Sequence, residues 1–234
     1  MLPADLHAAE EQLVQALRSA LAAEPRGRWT AELRFEGLRL LPVALRLAET
    51  MRTEQPALRL LFPDAGAAAL ARRDAPELAE ALGSYGDERR RQTQAQATDS
   101  AAAHLLILVA PAQTEYEEVE ALCGSHPGPV VLLNPSLEDA AVGIGSVARQ
   151  RRRGFLSLWQ SAYALVPQAG SALRRAHPGE FELYRLDPDG FRPVASFERR
   201  PDTEEQERAL TGGAEPGLGA NLRALGDLIE GLQN

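Results

Sequence analysis

The first candidate residues for binding a ligand lie just after two apolar runs of the chain. Asp64 and Gly66 follow residues 58–62, and Asn134 follows residues 130–133. If both runs are parallel strands, these residues lie at the carboxyl ends, where open α/β sheets place their ligand crevice. Asp64 could instead cap the following helix, and an asparagine before a proline is typical of a turn. We favour these structural roles and keep ligand contact as the alternative.

A second group of candidates follows Asn134. The backbone amides of Gly143 and Gly145, at the start of a predicted helix, could receive an anion. However, Glu138 and Asp139 would repel a phosphate, and the glycine pair lies well beyond the first turn after the strand, where a dinucleotide site needs it. Because the chain contains no lysine, the lysine-containing phosphate loop of ATPases and GTPases is excluded.

Four arginines then fall within one or two helical turns: Arg149, Arg151, Arg152 and Arg153. One interpretation is a solvated face late in a helix, where the helix dipole favours cations. The other is an interaction surface for acidic lipid headgroups, for an acidic loop of a partner, or for a bound anion. A basic cluster on an acidic protein makes the second interpretation worth testing.

The remaining reactive residue types form no recognisable catalytic pattern. The four histidines lack the spacing of metal ligands. His104 lies at the start of a predicted buried strand and is expected to be a core residue. Cys123 lies at the end of a predicted amphipathic helix, and we expect its thiol to be packed in the core. We therefore predict no catalytic residue, no metal and no cofactor. The sequence favours a binding protein over an enzyme and leaves both open.

Alternating strands and helices must position these residues. Apolar patterns predict helices over residues 2–23, 40–53, 65–72, 112–122 and 146–159, and strands over 29–35, 58–62, 103–110 and 130–133. This alternation predicts an α/β, Rossmann-like, three-layer fold with a mostly parallel sheet and helices on both faces. Three further strands, at 161–166, 181–186 and 192–197, predict an antiparallel C-terminal extension, with a hairpin turn at 187–190.

Polar stretches divide the rest of the chain. Residues 83–100 have no apolar face and are predicted to form an exposed loop or lid, which could include a short buried strand. We predict one α/β domain over residues 1–198, a flexible acidic linker over 199–220, and an amphipathic C-terminal helix over 221–234.

Composition limits the classes of partner. The net charge of −8 and a pI near 5.2 argue against general nucleic-acid binding, which depends on neutralising phosphates. No secretory signal or membrane-spanning run is visible, so we expect a soluble, cytoplasmic protein, at most peripheral to a membrane.

A family resemblance rests on five segments: LPADLHAAEEQ, RFEGLRLLP, FPDAGAAALARRD, LLILVAPAQTEYEEVEALC and VVLLNPSLEDAAVGIGSVARQRRRGFL. They resemble a domain-of-unknown-function family of cyanobacteria and plastids, over roughly residues 2–197. That family includes the plant low photosystem II accumulation protein, the third of that name, and a domain fused to some plastid adenylate kinases.

The resemblance implies a role in photosystem II assembly at the thylakoid surface. Expected partners are assembly intermediates or the inner antenna subunit, with an anionic membrane surface as a further candidate. The expected contact surfaces are the four arginines, residues 83–100 and the C-terminal helix. One competing hypothesis is a protein or enzyme that binds an anionic or nucleotide-like small molecule in the strand-end crevice. Another is a generic stabiliser that forms dimers.

Overall fold

A single mixed sheet organises the chain. The computed structural model describes residues 1–97, 103–137 and 153–212. Within them, nine strands form one sheet in the order β3-β2-β4-β5-β1-β6-β7-β8-β9. The strands are β1 (Arg28–Leu33), β2 (Arg59–Phe62), β3 (Leu82–Ser84), β4 (Leu106–Val109), β5 (Val130–Leu133), β6 (Gln160–Gln168), β7 (Ser171–Ala176), β8 (Phe181–Asp187) and β9 (Gly190–Phe197).

The sheet has a parallel part and an antiparallel part. Strands β1 to β6 pair in parallel, and β6 to β9 pair in antiparallel fashion through successive hairpins. The predicted α/β fold with an antiparallel C-terminal extension is therefore confirmed. β1 lies between β5 and β6, both of which come much later in the chain.

Helices cover both faces of the sheet. They are α1 (Leu6–Ala23), α2 (Leu40–Arg52), α3 (Ala65–Asp74), α4 (Tyr85–Ala97), α5 (Tyr116–Ser125) and α6 (Thr203–Leu210). Helices α1 to α3 share one core with the strands, whereas α4, α5 and Phe155 share a second core on the opposite face. Ala209 and Leu210 of α6 pack on a smaller cluster over β6 to β8.

Residues 83–100 differ from the expected loop. Their described part contains the end of β3 and all of α4, which was missed because the helix has no apolar stripe. Ser84 and Asp87 begin the helix with reciprocal bonds: the Asp87 amide donates to Ser84 Oγ at 3.1 Å, and the Ser84 amide donates to Asp87 Oδ2 at 3.2 Å. The arginine, glutamine and alanine residues that follow are good helix formers.

Two other expectations are corrected. Strand β7 was not predicted, because its adjacent Arg174 and Arg175 break the apolar alternation. Part of the supposed flexible linker over residues 199–220 is helix α6, which begins with a capping box between Asp202 and Glu205 and contacts β9. The predicted helix over 221–234 lies outside the described residues, and of the helix over 146–159 only residues 153–156 are described as helical.

In the described ranges, every helix is too short or too polar to cross a membrane.

Candidate functional site

Asp64 caps a helix at the carboxyl end of β2. Its Oδ1 accepts a hydrogen bond of 2.8 Å from the Ala67 amide at the start of α3. Such a cap contributes about 1 kcal/mol to stability. Gly66 lies beside this contact, since a Cβ atom there would stand 3.0 Å from Asp64 Oδ1. The capping role is the one that the geometry supports for Asp64.

Asn134 joins the ends of β5 and β1. Its Oδ1 accepts from the Leu33 amide at 2.7 Å, and its Nδ2 donates to the Leu33 carbonyl at 2.7 Å. Its own amide donates to the Ala31 carbonyl at 2.8 Å. The φ angle of 51° is one that asparagine tolerates better than most residues. Both polar atoms of the side chain are therefore used in holding the two strands together.

A buried tyrosine joins two other strand ends. The Tyr85 hydroxyl donates to the Val109 carbonyl at 2.8 Å, which links the segment after β3 to the end of β4. Burial, with smaller effects of nearby acidic groups, raises the pKa of Tyr85 and keeps this hydroxyl a donor. The described strand ends that border the predicted crevice are thus linked by internal hydrogen bonds.

The other predicted site residues are mostly outside the described ranges: Glu138, Asp139, Gly143, Gly145, Arg149, Arg151 and Arg152. Arg153 is described and exposed, and its carbonyl accepts from the Ser157 amide at 2.9 Å. Cys123 is buried as expected, and burial raises the pKa of its thiol to about 12.

An ion cluster around the buried Glu32, near the end of β1, was not anticipated. Glu32 is only 5% exposed and binds Arg200, which lies just before α6. Arg34 places its Nε 3.5 Å from Glu32 and also donates to the Pro135 carbonyl. The cluster therefore joins β1, the segment after β5 and the approach to α6. The sequence signal was a glutamate two residues after Thr30, which repeats a polar position on one face of the strand.

A cavity of about 460 Å³ lies beside this cluster on the face that carries α5. Leu137, Leu156 and Trp159 form its apolar wall, and Arg175 and Arg200 lie on the polar side. A larger groove of about 990 Å³ runs along α1. The three arginines that line it are paired: Arg46 binds Glu10, Arg18 binds Glu54 and Arg174 binds Glu182.

A second charged cluster lies at the opposite edge of the sheet, near the amino ends of the strands. Glu88 of α4 is 1% exposed and contacts Arg59 Nε at 3.2 Å and His104 Nε2 at 3.6 Å. Burial acts to raise the pKa of Glu88, but the neighbouring His104 side chain and the charges of Arg59 and Arg91 lower it overall.

His126 completes that edge. Its Nε2 lies 2.7 Å from the His104 carbonyl, to which the neutral ring donates. Burial is the main cause that lowers the pKa of His126 to about 4. The ring is therefore neutral at neutral pH, and the geometry indicates a structural role for this cluster.

Comparison with known proteins identifies the family. No curated protein matches the chain. The family profile described as Domain of unknown function (DUF1995) matches residues 3–208, from the segment before α1 into α6. This match covers most of the 234 residues, including both clusters and the described crevice. The chain therefore belongs to the DUF1995 family of domains of unknown function.

Proposed function

We propose that this protein is a non-enzymatic factor that supports assembly or stability of photosystem II through protein contacts at the thylakoid surface. The resemblance described above supports this role, and so does the family membership over residues 3–208. The observation that carries it is the internal use of the polar crevice residues. Both polar side-chain atoms of Asn134 form hydrogen bonds with Leu33, and Asp64 caps α3.

Two surfaces are offered for the partner. One is the outer side of α4, where Arg89, Arg90 and Arg91 are exposed. The other is the basic segment of residues 149–153. Both would suit an acidic surface, either on an assembly intermediate, on the inner antenna subunit or on anionic lipid. Such contacts would weaken as salt rises.

The experiment is co-purification of the tagged full-length chain from native thylakoid membranes. Its test variant is the double substitution Arg151→Glu and Arg152→Glu. The matched control is Arg26→Glu with Arg39→Glu, which changes the net charge equally at two exposed positions. We expect the control to retain photosystem II subunits and the test variant to lose them. Equal recovery with both variants would remove the basic segment from the proposal, and absence of photosystem II subunits from all samples would overturn the proposed role.

The competing function is small-molecule binding in the strand-end crevice. A thermal-shift screen of nucleotides and phosphorylated metabolites tests it with the folded full-length chain. We expect no shift that depends on Asp64. A ligand-induced shift that disappears in Asp64→Asn would favour the competing function instead.

A further inference from the structure

Three polar atoms around the cavity near Glu32 have no hydrogen-bond partner among the residues that the structure describes. They are Trp159 Nε1, Ser161 Oγ and Arg175 Nε, and all three are buried. Their residues all line the same cavity of about 460 Å³. Nearly all buried polar groups in folded proteins are paired, and each unpaired group costs about 1–3 kcal/mol. Three unpaired groups around one cavity indicate a site that is completed by a bound molecule.

Arg175 supplies a positive charge to this site, whose lining also includes Glu32 and the exposed Glu198. Its guanidinium lies over the Phe181 ring, 4.8 Å from the ring centroid. Burial lowers the pKa of Arg175, and within residues 1–97, 103–137 and 153–212 no carboxylate offsets that cost. The other arginines of the cavity wall differ, because Arg199 binds Glu205 and Arg200 binds Glu32. Arg175 is thus the cation of this cavity wall that lacks a carboxylate partner in the described chain.

Another part of the lining is apolar. It consists of Leu132, Leu137, Leu156 and the indole of Trp159. The cavity volume is in the range of sites for small molecules, which combine apolar walls with a few polar anchors. A bare inorganic anion would leave this apolar part uncovered. An anion with an apolar body would bury it.

We propose that this cavity binds a small organic carboxylate with an apolar body. The carboxylate pairs with the Arg175 guanidinium, and small side-chain movements on binding bring Ser161 and Trp159 into position as further donors to its oxygens. The apolar body lies against Leu137 and Leu156. The site lies on the face of the sheet, apart from the strand-end residues Asp64 and Asn134, and it is independent of the role proposed for photosystem II.

The test is isothermal titration of the full-length chain with 3-phenylpropionate. Two comparison probes separate the contributions: 3-phenylpropanamide keeps the apolar body without the charge, and inorganic phosphate keeps a charge without the body. We expect saturable binding of one equivalent of 3-phenylpropionate, and binding of each comparison probe at least about tenfold weaker, because a hydrogen bond to a charged group contributes that much. Absence of 3-phenylpropionate binding at 10 mM, or equal affinity for the acid and the amide, would overturn the proposal.

Variants locate the bound molecule. Arg175→Gln is expected to weaken 3-phenylpropionate binding about tenfold or more, and Ser161→Ala by a smaller factor. Arg192→Gln is the matched control, because Arg192 is exposed on β9. Thermal melts of each variant verify folding. If Arg175→Gln binds the acid as tightly as the unmodified chain does, the carboxylate is not on Arg175 and the proposal fails.

Fluorescence supplies a second readout. The chain has two tryptophans, of which Trp29 is buried in the core shared with α1. A change of emission on binding should therefore come from Trp159 and vanish in Trp159→Phe. An unchanged response in that variant would place the acid away from the cavity, which also contradicts the proposal.

Discussion

At the scale of single residues, the polar side chains at the strand ends mainly form structural hydrogen bonds. The side-chain amide of Asn134 takes the place of a backbone peptide group, because it bonds to both the amide and the carbonyl of Leu33. Its left-handed backbone suits asparagine or glycine and strains other residues. The same geometry that made Asn134 a plausible ligand contact thus explains why it holds β1 and β5 together.

Asn134→Ala should lower the free energy of unfolding by about 2–3 kcal/mol, because it removes two hydrogen bonds and strains the backbone. Asn134→Gly should cost less, since it loses the same bonds without the strain. Urea denaturation measures both. Equal losses in the two variants would show that the backbone angle contributes nothing.

Arg175 illustrates the opposite case, in which a residue lowers stability. Replacing it with methionine removes a desolvated cation and keeps an unbranched side chain. We expect Arg175→Met to raise the free energy of unfolding of the ligand-free chain by about 1 kcal/mol. Arg192→Met, at an exposed position, should stay within about 0.5 kcal/mol of the unmodified chain. A destabilised Arg175→Met chain in urea denaturation would contradict this expectation.

At the scale of elements, a buried ion pair attaches the polar helix α4 to β2. The helix has little apolar surface, and the pair consists of Glu88 and Arg59. Arg91 adds a longer contact of 3.9 Å from the helix itself. Removing one member of a buried pair is costly, because it leaves the other charge uncompensated.

Glu88→Ala should therefore lower the free energy of unfolding by about 3 kcal/mol and increase amide exchange throughout α4. Glu77→Ala is the control, since Glu77 is exposed and the substitution is expected to change stability by less than about 0.5 kcal/mol. Hydrogen exchange followed by mass spectrometry measures the amide protection of α4 in each variant. If α4 keeps its protection without Glu88, another contact attaches the helix.

The elements also show where sequence patterns suffice. Strand β5 and the hairpin turn between β8 and β9 were predicted because a short apolar run and an Asp-Gly turn are local signals. Helix α4 was missed because a paired charge replaced the expected apolar stripe. The positions of Asp64 and Asn134 were predictable, whereas the Glu32–Arg200 contact joins residues 168 positions apart and leaves no local pattern.

At the scale of the whole molecule, acid is expected to weaken the fold through His126. The pKa of this buried ring is about 4, below the ordinary value of 6.5. The unfolded chain therefore takes up a proton at pH values where the folded chain does not. Stability contributed by the neutral ring is complete above the ordinary pKa and is lost progressively as the pH falls from 6.5 towards 4.

Between pH 7 and pH 5, this difference should remove about 1–2 kcal/mol of stability. His126→Gln should reduce that loss, whatever it does to stability at neutral pH. His7→Gln is the control, because the His7 side chain is 82% exposed. Urea denaturation at both pH values measures the effect, and the same loss in His126→Gln as in the unmodified chain would assign it to other groups.

The central place of β1 bears on how the protein is made. Its two neighbours, β5 and β6, follow it on the order of a hundred residues later. During synthesis, a chain that has reached the end of β4 holds a strand whose two hydrogen-bonding edges both await partners. Such edges invite pairing with other chains. The sheet can close around its first strand only after the ribosome has delivered β6, so this protein completes its fold late in translation.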